Sequence, residues 1–170
     1  MSEDLYRLTA LESVRRLKAG ELTPLDLIDA VERRAAQVNG TVNALVTPCY
    51  DRARDHARRL MKLPAQERGL LAGLPVGIKD LNPVAGVRTT FGSPIFADNV
   101  PDVSDLMVQN IEAHGGIVVG MTNTPEFGAG ANTFNEVFGE TRNPWNPALN
   151  AAGSSGGSAA ALATGIVALA

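Results

Sequence analysis

A short glycine- and serine-rich segment late in the chain carries hydroxyl groups suited to nucleophilic or relay chemistry. It runs Gly153-Ser-Ser-Gly-Gly-Ser158 and continues directly into an alanine-rich stretch, Ala159 to Ala163. A flexible Gly/Ser linker is the alternative interpretation. Because the segment is short and is followed at once by a helix-forming sequence, we instead predict a loop that leads into a helix N-terminus. Free backbone N–H groups at such a position can bind an anion or oxyanion.

Lys79 is a candidate base. Leu74-Pro-Val-Gly-Ile78 predicts a short buried strand that ends at Lys79-Asp80. A lone lysine is ordinarily a solvated surface charge. Burial at the end of an apolar strand would lower its pKa and leave a neutral amine able to accept a proton. From the residues alone, both interpretations of Lys79 stay open.

Other common catalytic motifs do not fit this sequence. It contains neither a GxxxxGK[ST] phosphate loop nor a GxGxxG segment after a strand. His56 and His114 stand far apart with Cys49 as the only cysteine, so we expect no metal site and no cofactor. His56 falls on a charged helix and His114 precedes two glycines, so both are expected to be solvated, which disfavours a Ser-His-Asp triad. Serine chemistry with a lysine base remains.

The folded elements that position these groups begin with residues 1–68. This part of the chain is predicted to be mainly helical. Apolar residues recur at helical spacing from Leu5 to Leu17. Thr23-Pro24 is a typical cap and first-turn pair and opens a second helix to about Arg34. Arg52 to Leu63 forms a third, strongly charged helix. We expect these helices to serve as scaffold.

Residues 69–170 alternate between strand, loop and helix patterns. A helix is predicted from Ser104 to Ala113 and a further strand from Ile117 to Met121. This alternation predicts an α/β layer fold. The stretch from Phe127 to Asn150 is expected to be a long irregular connection, and connections of that length tend to be functional.

Two further segments lead to structural expectations. Gly139 to Asn146 is interpreted as a turn, with Trp145 packed into the core. The chain finishes on the apolar run Ile166 to Ala170, which predicts a buried strand or helix. Because termini usually lie at the surface, we expect the full-length protein to continue beyond Ala170.

Composition excludes several classes of protein. The 170 residues are 45% hydrophobic and 19% charged, which is typical of a globular domain. A net charge of −3 without a basic stripe gives no support to direct nucleic-acid or membrane-surface binding. A single cysteine and a charged N-terminal segment without an apolar core predict a cytoplasmic location.

Five motifs in order resemble those of the amidase-signature family, and the likeness runs from about Leu5 to Ala170. They are Gly73-Leu-Pro-Val-Gly-Ile-Lys-Asp80, Val84-Ala-Gly-Val-Arg-Thr-Thr-Phe-Gly-Ser93, Gly120-Met-Thr-Asn-Thr-Pro-Glu-Phe127, Phe138-Gly-Glu-Thr-Arg-Asn-Pro-Trp145 and Gly153-Ser-Ser-Gly-Gly-Ser158. The resemblance implies that residues 1–170 are the N-terminal part of one α/β domain. It also implies a mixed central sheet with helices on both faces.

The resemblance implies a Ser-cisSer-Lys triad. Lys79 matches the family's base, and Ser154, after a cis peptide bond from Gly153, matches its relay serine. The nucleophilic serine of the family lies about two dozen residues further on, which places it beyond Ala170, so we expect the chain to stop before the nucleophile loop. Ser155 is expected to support the triad.

Two further points follow from comparison with the family pattern. Gly128, Ala129 and Gly130 are expected to line the acyl group of the substrate. Ala152 stands where the family usually has glycine, and because alanine avoids most positive-φ conformations the loop is expected to differ slightly there.

The resemblance implies hydrolysis of a small carboxylic amide through an acyl-enzyme, in a protein that could form a homodimer. One alternative is the glutaminase subunit of a tRNA-dependent amidotransferase, which would need partner subunits. An alternative of another class is a non-catalytic fragment or interaction module, because the nucleophile is absent from these 170 residues.

Overall fold

An apolar strand, β3 (Ile117–Thr122), forms the centre of a mixed sheet in the computed structural model, which describes residues 4–170. Residues 1–3, the start of the first predicted segment, lie outside the described residues. Strand β1 (Leu45–Pro48) pairs antiparallel with β3, and strand β2 (Pro75–Lys79) pairs parallel with it. The sheet order is therefore β1-β3-β2. Lys79 lies opposite Thr122, so the candidate base stands at the carboxyl end of the central pair.

Helices cover both faces of this sheet, as the family resemblance implies. One core cluster joins Ile117 and Val119 of β3 to helices α2 (Pro24–Val42), α3 (Tyr50–Leu60) and α5 (Gly156–Ala163). Val118, which points to the opposite face, packs in a second cluster with Val108 of α4 (Leu106–Ala113). Every residue of β3 is buried. A strand that is buried on both faces needs an uninterrupted apolar sequence, which explains why β3 could be predicted.

The N-terminal part is mainly helical, with several differences from the prediction. The third helix, α3, spans Tyr50–Leu60 instead of Arg52 to Leu63. Leu5–Arg7 is a separate 3-10 turn, and α1 (Ala10–Ala19) begins only after Thr9, whose side chain accepts a hydrogen bond from Glu12 N. Helix α2 begins at the predicted Thr23-Pro24 cap but continues to Val42 instead of Arg34. The strand β1 lies between α2 and α3 and was not predicted, since its four residues carry no clear alternation of apolar and polar side chains.

The apolar run from Ile166 to Ala170 also differs from the prediction of a buried strand or helix. It is neither helix nor strand, although Ile166 and Val167 are buried as predicted. Gly77 N of β2 donates a hydrogen bond to Leu169 O, so the run lies beside the open edge of β2. An isolated contact of this kind does not make a ladder, and the segment stays irregular.

The connection from Phe127 to Asn150 is largely irregular, as predicted, apart from a short ribbon of β4 (Phe134–Asn135) and β5 (Gly139–Glu140). Asn123 stabilises it from the end of β3, because its buried amide donates to Thr141 Oγ1 and accepts from Asn135 Nδ2. Trp145 was predicted to fill the core, and that prediction is wrong. Its side chain is 79% exposed, because the local turn is held instead by Asn143 Oδ1, which accepts from Trp145 N.

Candidate active site

Lys79 and the two serines after Gly153 meet at the carboxyl end of β2. Lys79 Nζ lies 2.9 Å from Ser154 Oγ and 2.9 Å from Ser155 Oγ, although the residues are separated by more than 70 positions in sequence. The Gly153–Ser154 peptide bond is cis, as the resemblance implies. The sequence therefore identified three side chains that the fold brings into one hydrogen-bonded cluster.

The surroundings of Lys79 favour a neutral amine. The side chain is partly buried, and this burial lowers the pKa of Lys79 below its ordinary value. The two contacts that Lys79 makes with Ser154 and Ser155 are to hydroxyl groups, not carboxylates. A deprotonated amine in hydrogen-bond contact with a serine hydroxyl can accept its proton.

Asp80, which follows the candidate base, faces away into the protein. Its carboxylate is fully buried and accepts hydrogen bonds from Thr90 N (2.9 Å) and from the Thr90 hydroxyl (2.5 Å). Burial raises the pKa of Asp80, and the hydrogen bonds from Thr90 oppose that rise. Asp80 thus attaches the loop around Thr90 to the end of β2 and leaves Lys79 free to face the serines.

The segment expected to line the substrate lies close to the chain on both the lysine and the serine side of the cluster. A Cβ at Gly128 would lie 2.6 Å from Leu81 Cδ1, so this glycine packs on the residue two positions after Lys79. Ala129 and Gly130 line an open cleft together with Glu126. The backbone of Ala131 and Asn132, next in sequence, packs against Gly153. The acyl-binding role of Gly128, Ala129 and Gly130 stays a prediction.

The histidines lie away from the cluster. His114 is exposed, as predicted, and its Nδ1 lies 2.8 Å from Asn110 O. The prediction of a solvated His56 is wrong, because His56 Nδ1 lies 3.5 Å from Glu112 Oε1 in a partly buried contact between α3 and α4. The charged residues of α3 led to the prediction of a solvated face, whereas Arg52 and His56 on that face contact Glu112 of α4. Among residues 4–170, no three His, Cys, Asp or Glu side chains are grouped so that they could hold a metal ion.

Ala152 adopts a backbone conformation that is unusual for alanine. Alanine avoids most positive-φ conformations, yet Ala152 has φ 59°, in the left-handed region. This conformation raises the conformational energy of the loop, since a left-handed residue with a Cβ costs about 1–2 kcal/mol. A slight difference of this loop from the family pattern stays a prediction.

Thr133 is a contributor to this site that the sequence reasoning missed. Its side chain is fully buried, and Thr133 Oγ1 accepts a hydrogen bond from Gly156 N at the start of α5. Nothing in the sequence pattern distinguishes Thr133 from other threonines in the long connection. Only the close approach of residues 131–133 to the serine loop reveals it.

Comparisons with known proteins agree with the motifs. The Amidase family model matches residues 26–170. The chain is 39% identical over 162 residues to the A subunit of a glutamyl-tRNA(Gln) amidotransferase from Roseiflexus sp. (strain RS-1), a match that covers 95% of this chain and 33% of that protein. It is 38% identical to an acylamidase from Rhodococcus erythropolis, with 96% of this chain and 35% of that protein covered.

Solved structures show the same fold. A bacterial aryl acylamidase of the amidase signature family superposes with a TM-score of 0.89 at 34% identity, covering 97% of this chain and 35% of that one. The chain thus spans about a third of the length of the relatives it matches. No helix within residues 4–170 has the length and apolar character needed to cross a membrane. With the family model covering most of its length and the motif residues gathered at one end of the sheet, this chain belongs to the amidase (amidase-signature) family.

Proposed function

We propose that the protein containing this chain is an amidase that hydrolyses a carboxylic amide to an acid and ammonia or an amine. The observation that carries the proposal is the 2.9 Å contact between Lys79 Nζ and Ser154 Oγ. A lysine whose pKa is lowered by burial, in contact with a serine hydroxyl, can act as a base through that hydroxyl.

In the proposed mechanism, Lys79 and Ser154 move a proton in both directions. Neutral Lys79 takes the Ser154 proton while Ser154 takes the proton of the attacking serine, whose oxygen forms a bond to the amide carbon. As the C–N bond breaks, the proton returns to the leaving nitrogen, and an acyl-enzyme remains. Water then hydrolyses the ester by the same proton path. The attacking serine is proposed to lie outside these 170 residues, as the family resemblance implies.

Ser155, Gly153 and the segment from Gly128 to Gly130 have supporting roles in this proposal. Ser155 Oγ also lies 2.9 Å from Lys79 Nζ, so it holds the amine in place. Gly153 packs against the backbone of Ala131 and Asn132. Residues 129–132 therefore line the cleft in which the acyl group is proposed to bind, and the last two of them also contact the serine loop.

A second candidate function is the glutaminase subunit of a tRNA-dependent amidotransferase. The 39% identity to the A subunit of a glutamyl-tRNA(Gln) amidotransferase supports it. Such a subunit would hydrolyse glutamine and pass the ammonia to a partner. Glutamine hydrolysis that appears only after partner subunits are added would favour this function over a free amidase.

The experiment that tests the shared chemistry is amide hydrolysis by the full-length protein and its variants. Lys79→Ala should lower kcat by several orders of magnitude, because it removes the base of the relay. Ser154→Ala should also be severe. His114→Ala is the matched control, since the side chain of this exposed histidine hydrogen-bonds only within its own helix among the residues described. Amide turnover by purified Lys79→Ala at the wild-type rate would contradict the proposal.

A further inference from the structure

Helix α5 begins at the serine loop without the usual capping contact. Ser155 occupies the N-cap position, where serine is among the favoured residues because its hydroxyl can accept a hydrogen bond from the first turn. Its side chain makes no such bond. The hydroxyl instead lies 2.9 Å from Lys79 Nζ. The first turn of α5 must therefore satisfy its N–H groups from elsewhere.

Thr133 supplies that acceptor from a different part of the chain. Thr133 Oγ1 accepts a hydrogen bond from Gly156 N, the first residue of α5, at 2.9 Å. Both groups are buried, so water does not compete for the N–H. Thr133 thus satisfies one of the N–H groups in the first turn of α5 that have no partner within the helix, while the Ser155 hydroxyl lies on Lys79.

Thr133 also contacts the serine loop on both sides of the serine pair. Its backbone N–H donates to Ala152 O at 3.0 Å. A Cβ at Gly153 would lie 3.1 Å from Thr133 Oγ1, and a Cβ at Gly156 would lie 2.4 Å from it. These close approaches leave the loop between residues 152 and 156 little freedom to shift relative to Thr133.

Further hydrogen bonds of its backbone hold Thr133 in place. Thr133 N lies 3.2 Å from Asn150 Oδ1, and Thr133 O accepts hydrogen bonds from Asn150 Nδ2 and Thr141 N. Thr141 in turn accepts from Asn123, which directly follows β3. A chain of hydrogen bonds between buried or partly buried groups therefore connects Thr133 to the central sheet.

We propose that Thr133 is a positioning residue that holds the first N–H of α5 and so keeps the Ser154 and Ser155 hydroxyls on Lys79. Without the Thr133 hydroxyl, the buried Gly156 N–H would lack an acceptor, and because such a group is costly the loop between residues 152 and 156 would shift to satisfy it. That shift would move the Ser154 and Ser155 hydroxyls away from the amine. The proposal rests on the proposed function, in which Lys79 and Ser154 form the proton path.

The test compares Thr133→Val, which keeps the side-chain shape without the acceptor, with Thr133→Ser, which keeps the acceptor. Amide hydrolysis by the full-length protein is measured well below the melting temperature of each variant. Thr133→Val should lower kcat by about 10- to 100-fold with KM within about twofold, because small displacements of a proton path are costly in rate. Thr133→Ser should restore kcat to within about threefold of wild type.

Thr164→Val is the matched control at the other end of the same helix. The Thr164 hydroxyl donates to Ala160 O, so its loss disturbs α5 without touching the serine loop. If Thr133 had only a structural role, the two valine variants would lose melting temperature and kcat in parallel. If Thr133→Val does not fold, Thr133→Ala, which also lacks the hydroxyl acceptor, is measured in its place and should show the same loss of kcat.

Lys79→Ala separates this inference from the function on which it rests. Full activity of Thr133→Val together with an inactive Lys79→Ala would overturn the positioning role and leave the amidase proposal intact. Full activity of Lys79→Ala would overturn both. A crystal structure of Thr133→Val with Ser155 Oγ still on Lys79 Nζ would also contradict the inference.

Discussion

Gly157 of α5 lies directly on the backbone of Asn123, the residue that follows β3. Gly157 N approaches Asn123 O at 3.3 Å, and a Cβ at position 157 would lie only 2.2 Å from Asn123 N. Thr122, one residue earlier, pairs with Lys79 across the sheet. The absence of a side chain at Gly157 therefore lets the helix that follows the serine pair reach the strand end that carries the candidate base.

Gly157→Ala should destabilise the protein by about 3 kcal/mol, because the atoms that a methyl group would meet are backbone and cannot rotate away. The free energy of unfolding in urea measures the effect. Gly40→Ala is the control, since Gly40 is an exposed residue of α2 with open space around its Cβ position. That substitution should stabilise the helix by about 0.5–1 kcal/mol. Equal effects at the two positions would contradict the close approach of α5 to β3.

The elements around the site could be predicted because their sequence patterns are local. The apolar runs that form β2 and β3 are buried on both faces, and the Thr23-Pro24 cap determines where α2 begins. The likeness of the lysine and serine motifs to those of a family then predicted that Lys79 and Ser154 lie together. Their contact could not be derived from their spacing in the sequence alone, since it depends on how the intervening residues fold.

What the sequence did not reveal depends on long-range packing. Thr133 caps a helix more than 20 residues away, and no local pattern signals such a contact. Trp145 was assigned to the core because large aromatic residues usually bury, yet the turn around it is held by hydrogen bonds to Asn143. His56 lies among charged residues of α3, and its partner, Glu112, lies on another helix.

Ala152→Gly should stabilise the protein by about 0.5–1 kcal/mol. Ala152 has φ 59°, where its Cβ costs about 1–2 kcal/mol, and the greater freedom of glycine in the unfolded chain offsets part of the gain. Calorimetric melting measures the change. Ala151, one residue earlier, does not have a positive φ. Ala151→Gly should therefore lower the melting temperature instead. A lower melting temperature for Ala152→Gly would show that the loop does not hold this conformation.

Glu112 should make stability depend on pH in the acid range. Burial by itself raises the pKa of Glu112, but hydrogen bonds from His56 and Arg52 outweigh burial and lower the pKa to about 2. A lowered pKa means that the ionised form stabilises the folded state. This contribution is present above pH 4.5 and is lost as the pH falls from there toward 2. At pH 7, Glu112→Gln should cost on the order of 2 kcal/mol in the free energy of unfolding.

Glu12→Gln is the control for that measurement. Hydrogen bonds from Arg15 and Arg16 also lower the pKa of Glu12 to about 2, but this carboxylate lies at the surface. Solvent screens surface ion pairs, so the free energy of unfolding should hardly change. If the difference in stability between wild type and Glu112→Gln is the same at pH 3 and pH 7, Glu112 does not have the lowered pKa.

The proposed amidase activity of the full-length protein should rise with pH as Lys79 loses its proton. Burial lowers the pKa of Lys79 below 10.5, and the proposed base acts only in its neutral form. The pH profile of kcat/KM should therefore show an ascending limb with an apparent pKa below 10.5. Lys79→Arg should be inactive across this range, because a guanidinium keeps its proton. An ascending limb that persists unchanged in Lys79→Ala would assign the titration, and with it the base, to another residue.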